Sequence, residues 1–223
     1  MARPRQFDER EAVAQATGLF WRRGYNATSV RDLGAELRLT PSSLYRTFED
    51  KHTLFLRALD HYCATESAQA KERLETGGQP VRDALRDWLL WLVGCTADAE
   101  PGSGCLVVNT ATELGTTDTE VSARTEAAFE VTRSALRSLL DEGRRHGELP
   151  TDLDLDAAVE LLFTTVLGLR VRERAGHDPQ RLAAAIDFAI RGLGPAPTEP
   201  VRRPRSTAQP RASRGSGGRR RLS

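Results

Sequence analysis

The chain has 223 residues, 39% of them hydrophobic and 28% charged, and a net charge of +1; its size suits one large or two small domains, and its balance is that of a soluble globular protein. The longest apolar run, Trp88-Leu89-Leu90-Trp91-Leu92-Val93, is far shorter than a membrane span, and Met1-Ala2-Arg3-Pro4-Arg5 leads into charged helix with no apolar h-region, which argues against secretion. Three cysteines, an odd number and widely spaced, make no disulfide framework, so the expected location is cytoplasmic and no membrane partner is expected.

Helical periodicity runs through the chain. A first helix is predicted from about Phe7 to Arg23, with Ala12, Ala16, Leu19 and Phe20 inward and Gly24 as its C′ residue. Thr28 or Ser29 can cap a second helix. Asp32 lies in its first turns, where negative charge suits the dipole, and Val30, Leu33 and Leu37 form one apolar face. Thr40 is a natural N-cap for a third helix, with Pro41 at its first position, where a missing N–H costs nothing. Leu44 and Phe48 form its inward face and leave Ser42, Ser43, Tyr45, Arg46 and Thr47 outward.

Asp50 can cap a long fourth helix that carries Leu54, Phe55, Ala58, Leu59 and Tyr62 and breaks at Gly77-Gly78. A fifth runs from about Pro80 to Ala97, with Val81, Leu85, Trp88, Leu92 and Cys95 on one stripe. After a Pro-Gly-Ser-Gly loop, a short apolar sixth covers Cys105 to Leu114. Asp118 or Thr119 opens a seventh, reaching about His146. Asp154 or Asp156 opens an eighth to about Arg174, and Asp178-Pro179 opens a ninth to Gly192. No strand and no internal repeat is legible. The predicted fold is all-α with about nine helices.

Helix, short turn and a helix with a polar outward face make a helix-turn-helix. Charge agrees with a DNA-facing head. Residues 22, 23, 31, 38 and 46 are arginines, against Asp32 and Glu36 alone between Arg22 and Phe48. The tail after Pro195 holds eight arginines and one acid, Glu199, so the rest of the chain is net acidic and its positive charge must be concentrated locally.

Leu19-Phe20, Gly24-Tyr25, Thr28-Ser29-Val30, Thr40-Pro41-Ser42-Ser43-Leu44-Tyr45, Phe48 and Lys51 stand in the register of a known pattern. The segment resembles the DNA-binding domain of the TetR family of bacterial transcriptional regulators. Gly104-Cys105-Leu106 is similar to the start of the sixth helix in many AcrR-like members. One departure is Arg38, in the turn where the family usually has Gly; if that position needs φ > 0, Arg carries a backbone cost there, or it offers one more cation to a phosphate. The resemblance implies a three-helix DNA-binding head at residues 1–50 and a larger helical ligand-binding and dimerisation domain at 51–194. It also implies double-stranded operator DNA, a small-molecule inducer and a second copy of the chain as partners.

By position, the resemblance assigns Thr28 and Ser29 to a phosphate at one helix N-terminus and Thr40 to another. Tyr45 and Lys51 would hold flanking phosphates. Pro41, Ser42, Ser43 and Arg46 would meet base edges, and Arg46 alone among them can make a bidentate contact to guanine. Arg3 and Arg5 could form a flexible arm. The ligand candidates, inside the bundle of the fourth to eighth helices, are Tyr62, Trp88, Trp91, Cys95, Asn109, Thr112, Phe129, Thr132, Phe163 and Leu167. Their apolar and aromatic mix points to a hydrophobic or planar aromatic molecule. Aromatics at helical spacing also serve simply as core.

Cys105 opens the sixth helix, where a thiolate would gain from the helix N-terminus; a redox or electrophile sensor and a small buried hydrophobe are the two readings. Leu162, Val166 and Leu169 of the eighth helix and Leu182, Ile186 and Ala189 of the ninth are the expected dimer interface. His52, His61, His146 and His177 are scattered and no CxxC occurs, so no metal or other cofactor is expected. No GxSxG, P-loop or Rossmann fingerprint occurs, so no catalytic residue is assigned and an enzyme is not expected. Residues 195–223, rich in Pro, Arg, Ser and Gly, cannot bury enough apolar surface to offset ordering entropy and are expected to be a disordered tail. That tail is either dispensable or a source of sequence-independent phosphate attraction, and the latter would suit a ligand-independent DNA binder.

Overall fold

The computed structural model describes residues 8–74, 78–94, 104–176 and 179–194. Among the described residues there are nine helices and no strand. The N-terminal head holds α1 (Glu9–Arg23), α2 (Val30–Leu37) and α3 (Pro41–Phe48). In α4, residues 51–74, the α-helical segments Lys51–Tyr62 and Ala68–Leu74 are joined by a π-helical turn, Cys63–Ser67. The body continues with α5 (Val81–Gly94), α6 (Leu106–Leu114), α7 (Thr119–Arg145), α8 (Leu155–Arg174) and α9 (Pro179–Arg191). The predicted arm residues Arg3 and Arg5, as well as Cys95, His177 and the 195–223 tail, lie outside the described residues.

Acidic and hydroxyl caps set most helix starts. Asp8, Asp50, Asp118 and Asp154 each accept backbone N–H groups one to three residues into α1, α4, α7 and α8. Each such cap is worth about 1 kcal/mol. Helix lengths follow from these caps and from the glycines or turns that end them. The predicted boundaries therefore lie within a few residues of the observed ones.

The head closes around Phe20, Leu33, Leu44, Phe48, Leu54 and Phe55, all essentially without solvent contact. Leu114 of α6 and Val121 of α7 belong to the same apolar cluster, so the head core continues past residue 50 into the body. The main body core is built from α5, α7, α8 and α9. Between the two lies a small third cluster of Leu59, Tyr62, Leu106 and Val107, against which Trp21 of α1 and Cys105 pack.

The expected dimer residues are already covered within the single chain. Leu162, Val166, Leu169, Leu182, Ile186 and Ala189 are all buried within a single chain and belong to its own core or pack on it. Their stripe packs toward α5 and α7 of the same chain. Periodicity finds a face that must be covered, but it does not say which neighbour covers it. The apolar side chains that α8 and α9 leave in solvent are Leu161, Val171 and Phe188, at 48%, 50% and 73% exposure.

Candidate functional site

The helix-turn-helix is built from local rules. Ser29, not Thr28, caps α2. Its hydroxyl accepts the Asp32 N–H at 3.1 Å while the Asp32 carboxylate accepts the Ser29 N–H at 2.9 Å, a reciprocal capping box. These bonds, with Arg23 at 2.9 Å, lower the Asp32 carboxyl to about 2; the Ser29 side-chain bond is the largest cause. Thr28 is wholly buried and its hydroxyl donates to the Gly24 carbonyl at 2.7 Å, so it cannot offer that hydroxyl to a phosphate.

The turn between α2 and α3 puts Arg38 in the left-handed region, φ 54° and ψ 40°. Here the chain makes an arginine do what glycine does at lower cost. Gly34 is needed for another reason: a Cβ there would meet the Leu39 carbonyl at 2.9 Å, where the chain doubles back. Thr40 then caps α3. Its hydroxyl accepts the Ser43 N–H at 3.2 Å and lies 3.0–3.1 Å from the Ser42 and Ser43 hydroxyls. Three hydroxyls thus converge at a helix N-terminus, where backbone N–H groups favour an anion.

Leu44 and Phe48 are buried, while Pro41, Ser42 and Arg46 are exposed and Tyr45 is 49% exposed. One face of α3 is therefore locked into the head and the other is open to solvent. Lys51 is half-buried at the start of α4, its ammonium 4.0 Å from the centroid of the Tyr25 ring; burial lowers its pKa and Glu113 opposes that.

In the body, a cavity of about 90 Å³ lies between α4, α5, α7 and α8. Seven of the ten sequence candidates line it: Tyr62, Trp88, Trp91, Phe129, Thr132, Phe163 and Leu167. Asn109 and Thr112 do not. They lie on α6, and Thr112 is exposed with its hydroxyl turned back to the Val108 and Asn109 carbonyls. Trp88 donates its indole N–H to the Ala70 carbonyl at 2.7 Å, so the ring is fixed as a wall. Phe129 and Phe163 meet edge-on at 5.4 Å.

The sequence reading missed the polar lining. Glu66 and Ser67 reach the cavity from the π-helical turn and Lys71 from the turn after it. Arg170 also lines it, buried, on the stripe of Phe163, Val166 and Leu167; a lone cation on an apolar helix face was the available signal. Its guanidinium donates to the Leu92 carbonyl, to Gly104 at 3.1 Å and to Glu173 at 2.7 Å. Burial works against its charge, but Cys105, Tyr62 and Glu173 outweigh that and raise its pKa.

Cys105 lines the same cavity and is the N-cap residue of α6, yet its side chain caps no N–H. It shares the cavity wall with Tyr62, whose hydroxyl pKa is raised well above normal by burial first and by Cys105 second. Cys63, one residue after Tyr62, is pushed up to about 11, chiefly by burial, so it stays a thiol. Among the described residues no cluster of three metal-ligating side chains occurs, and no helix is long and apolar enough to cross a membrane.

A head that presents one polar helix face, joined to a helical body with a cavity, is the arrangement of a DNA-binding transcriptional regulator. Residues 12–58 match the family described as bacterial regulatory proteins, tetR family, and residues 77–189 match the tetracyclin repressor-like C-terminal domain. The chain belongs to the TetR family. It is 30% identical over 194 residues to the uncharacterised HTH-type regulator YezE of Bacillus subtilis (strain 168), which covers 85% of this chain and 98% of that one. It is 27% identical over 189 residues to the HTH-type transcriptional repressor ComR of Escherichia coli (strain K12), covering 85% and 90%. In structure it is similar to a cysteine-substituted TetR-family regulator, CifR, solved in complex with a 26-base-pair operator duplex. The TM-score is 0.74 at 29% identity, over 85% of this chain and 98% of that one.

Proposed function

We propose that the chain is a homodimeric repressor that leaves its operator when a small apolar or aromatic molecule occupies the cavity between α4, α5, α7 and α8. The cavity carries this reading: its walls are mostly aliphatic and aromatic, with Glu66, Ser67, Lys71, Thr132 and Arg170 as polar exceptions. Similar proteins are named as repressors, and CifR is bound to operator DNA, which supports the DNA partner and the direction of control. A second copy is needed because a lone head reads too few base pairs; paired heads must match successive major grooves about 34–36 Å apart. The exposed Leu161 and Val171 on α8 and Phe188 on α9 are assigned to the face offered to that copy.

In the head, Ser29, Thr40 and Tyr45 are assigned to phosphates, together with Lys51. Pro41, Ser42, Ser43 and Arg46 are assigned to base edges. The test starts from the duplex that the purified chain selects from a random pool. Arg46→Ala should weaken binding to that duplex by about 1–3 kcal/mol and barely change binding to random DNA. Lys51→Ala should weaken both alike and flatten the salt dependence by about one unit of log slope. Equal losses on both duplexes for Arg46→Ala would make Arg46 a phosphate contact.

A second reading is favoured by one observation: Cys105 lines the cavity beside Tyr62 and Arg170. An electrophile or oxidant that enters then finds a thiol on the wall. Under this reading Cys105→Ser binds the operator but no longer releases it on treatment with a quinone. Under the first reading Cys105→Ser still responds to the non-reactive ligand.

A further inference from the structure

We propose that Trp21, on α1 of the DNA-binding head, is the positioning residue through which the cavity acts on that head. This rests on the reading of the cavity as the signal site. The Trp21 indole N–H donates to the Gly104 carbonyl at 3.2 Å, and its ring meets the Tyr62 ring edge-on at 5.0 Å. Both neighbours belong to the cavity wall or adjoin it. Tyr62 lines it, and Gly104 precedes Cys105, which also lines it.

The Gly104 carbonyl is shared. It also accepts the Arg170 guanidinium at 3.1 Å, from inside the cavity. One oxygen thus joins a cavity cation to a head indole. The peptide around it has no slack: Gly104 has φ +66°, and a Cβ there would meet Arg174 Cβ at 3.0 Å and the Arg170 carbonyl at 3.1 Å.

Several other bonds between head and body avoid the cavity. Glu113 accepts the Tyr25 and Asn26 N–H groups, Thr17 donates to the Ala58 carbonyl, Arg57 pairs with Glu9, and Arg174 donates to the Trp21 carbonyl; none of these body residues lines it. Size supplies the displacement. The cavity measures about 90 Å³, whereas a cavity that admits benzene is roughly 150 Å³. An aromatic occupant that enters fully therefore pushes a wall outward. If the wall that yields includes Arg170 or the 104–105 peptide, the Trp21 bond changes with it, and α1 tilts relative to α6. Since α1 packs on α2 and α4, the orientation of the reading helix follows.

The test needs occupancy that can be verified. N-ethylmaleimide supplies it: the Cys105 sulfur adds to the maleimide double bond, and the thiol proton ends on the adjacent ring carbon. Peptide mass confirms the adduct, and Cys105→Ser treated in the same way reports any effect of the other thiols. Operator affinity is then measured with and without the adduct, in the full chain and in Trp21→Phe. Phenylalanine keeps a ring against Tyr62 and removes the N–H. Where Trp21→Phe melts early, 3-benzothienylalanine at position 21 keeps the shape of indole and lacks only the donor.

Coupling between sites is usually about 5–150-fold in affinity. The wild-type adduct should lose operator affinity within that range, and the substituted chain should lose less than about threefold. Its affinity without the adduct should stay close to wild type, which a merely structural role would not allow. Equal losses in both chains overturn the role of Trp21. A wild-type adduct that keeps full operator affinity overturns the cavity reading itself, and Trp21 then has nothing to transmit.

Discussion

Glu113 of α6 holds the backbone of Tyr25: its carboxylate accepts the Tyr25 N–H at 3.0 Å and, through its other oxygen, the Asn26 N–H at 2.7 Å. The same carboxylate packs against Gly24, where a Cβ would lie 2.8 Å from it. The turn that leads from α1 into the helix-turn-helix is therefore held by a side chain of the body. A charged acceptor on two backbone donors is worth about 1.5–3 kcal/mol. Glu113→Ala should lower stability by about that amount and weaken operator binding. Chemical denaturation and a binding titration check both. An unchanged unfolding midpoint would show that the bonds are idle.

Arg38 stores backbone strain. A non-glycine residue in the left-handed region costs on the order of 1 kcal/mol. Arg38→Gly should therefore stabilise the chain by about 0.5–1 kcal/mol. If Arg38 also holds a phosphate, the same change reduces the salt dependence of DNA binding, and the two effects separate by calorimetry and salt titration. A loss of stability would mean that the arginine side chain contributes more than its backbone costs.

Phe188 is the most exposed large apolar side chain among the described residues, and with Leu161 and Val171 it is assigned to the face offered to a second copy. Phe188→Glu should give a folded monomer that no longer binds the operator, because a buried unpaired charge opposes association. Ile186→Glu should instead disrupt the single chain, since Ile186 is buried within it. Sedimentation of the two variants decides. A dimer of unchanged mass with Phe188→Glu would place the interface elsewhere.

Asp32 predicts an acid limb for the head. Its carboxyl is lowered to about 2 in the fold, mainly by Ser29, then by Arg23, against about 3.9 for an unfolded chain. A depressed carboxyl stabilises the folded state fully above the unfolded value. That contribution is lost as pH falls through the folded value. Stability should thus decline between about pH 4 and pH 2, and Asp32→Asn should remove part of that slope. Thermal melts across this range at fixed ionic strength give the comparison. Identical slopes would show that the capping box carries no charge-dependent stability.

The head was legible because its signals are local. A cap, a proline at a first helical position, and apolar residues three and four apart act within one or two turns. Thr40-Pro41 and Leu44 with Phe48 specify α3 before any tertiary contact is made. At Arg38 the resemblance marked a position usually held by Gly and left the backbone cost conditional; the structure puts it at φ 54°. Between Thr28 and Ser29 the local rule was silent: either could cap, and burial of Thr28 against Gly24 decided it.

The sequence by itself determined an all-α chain with a helix-turn-helix near one end, because helix starts, stops and amphipathic faces are written in residues a turn apart. Only the tertiary structure decided what covers each face. Val166 and Ile186 face their own core while Phe188 faces solvent, and the apolar spacing of α8 and α9 is compatible with either arrangement. Only packing brings Tyr62, Cys105 and Arg170 together from three separate helices and sets Trp21 of the head against the Gly104 carbonyl. Those juxtapositions depend on how distant helices cross, and no local pattern encodes that.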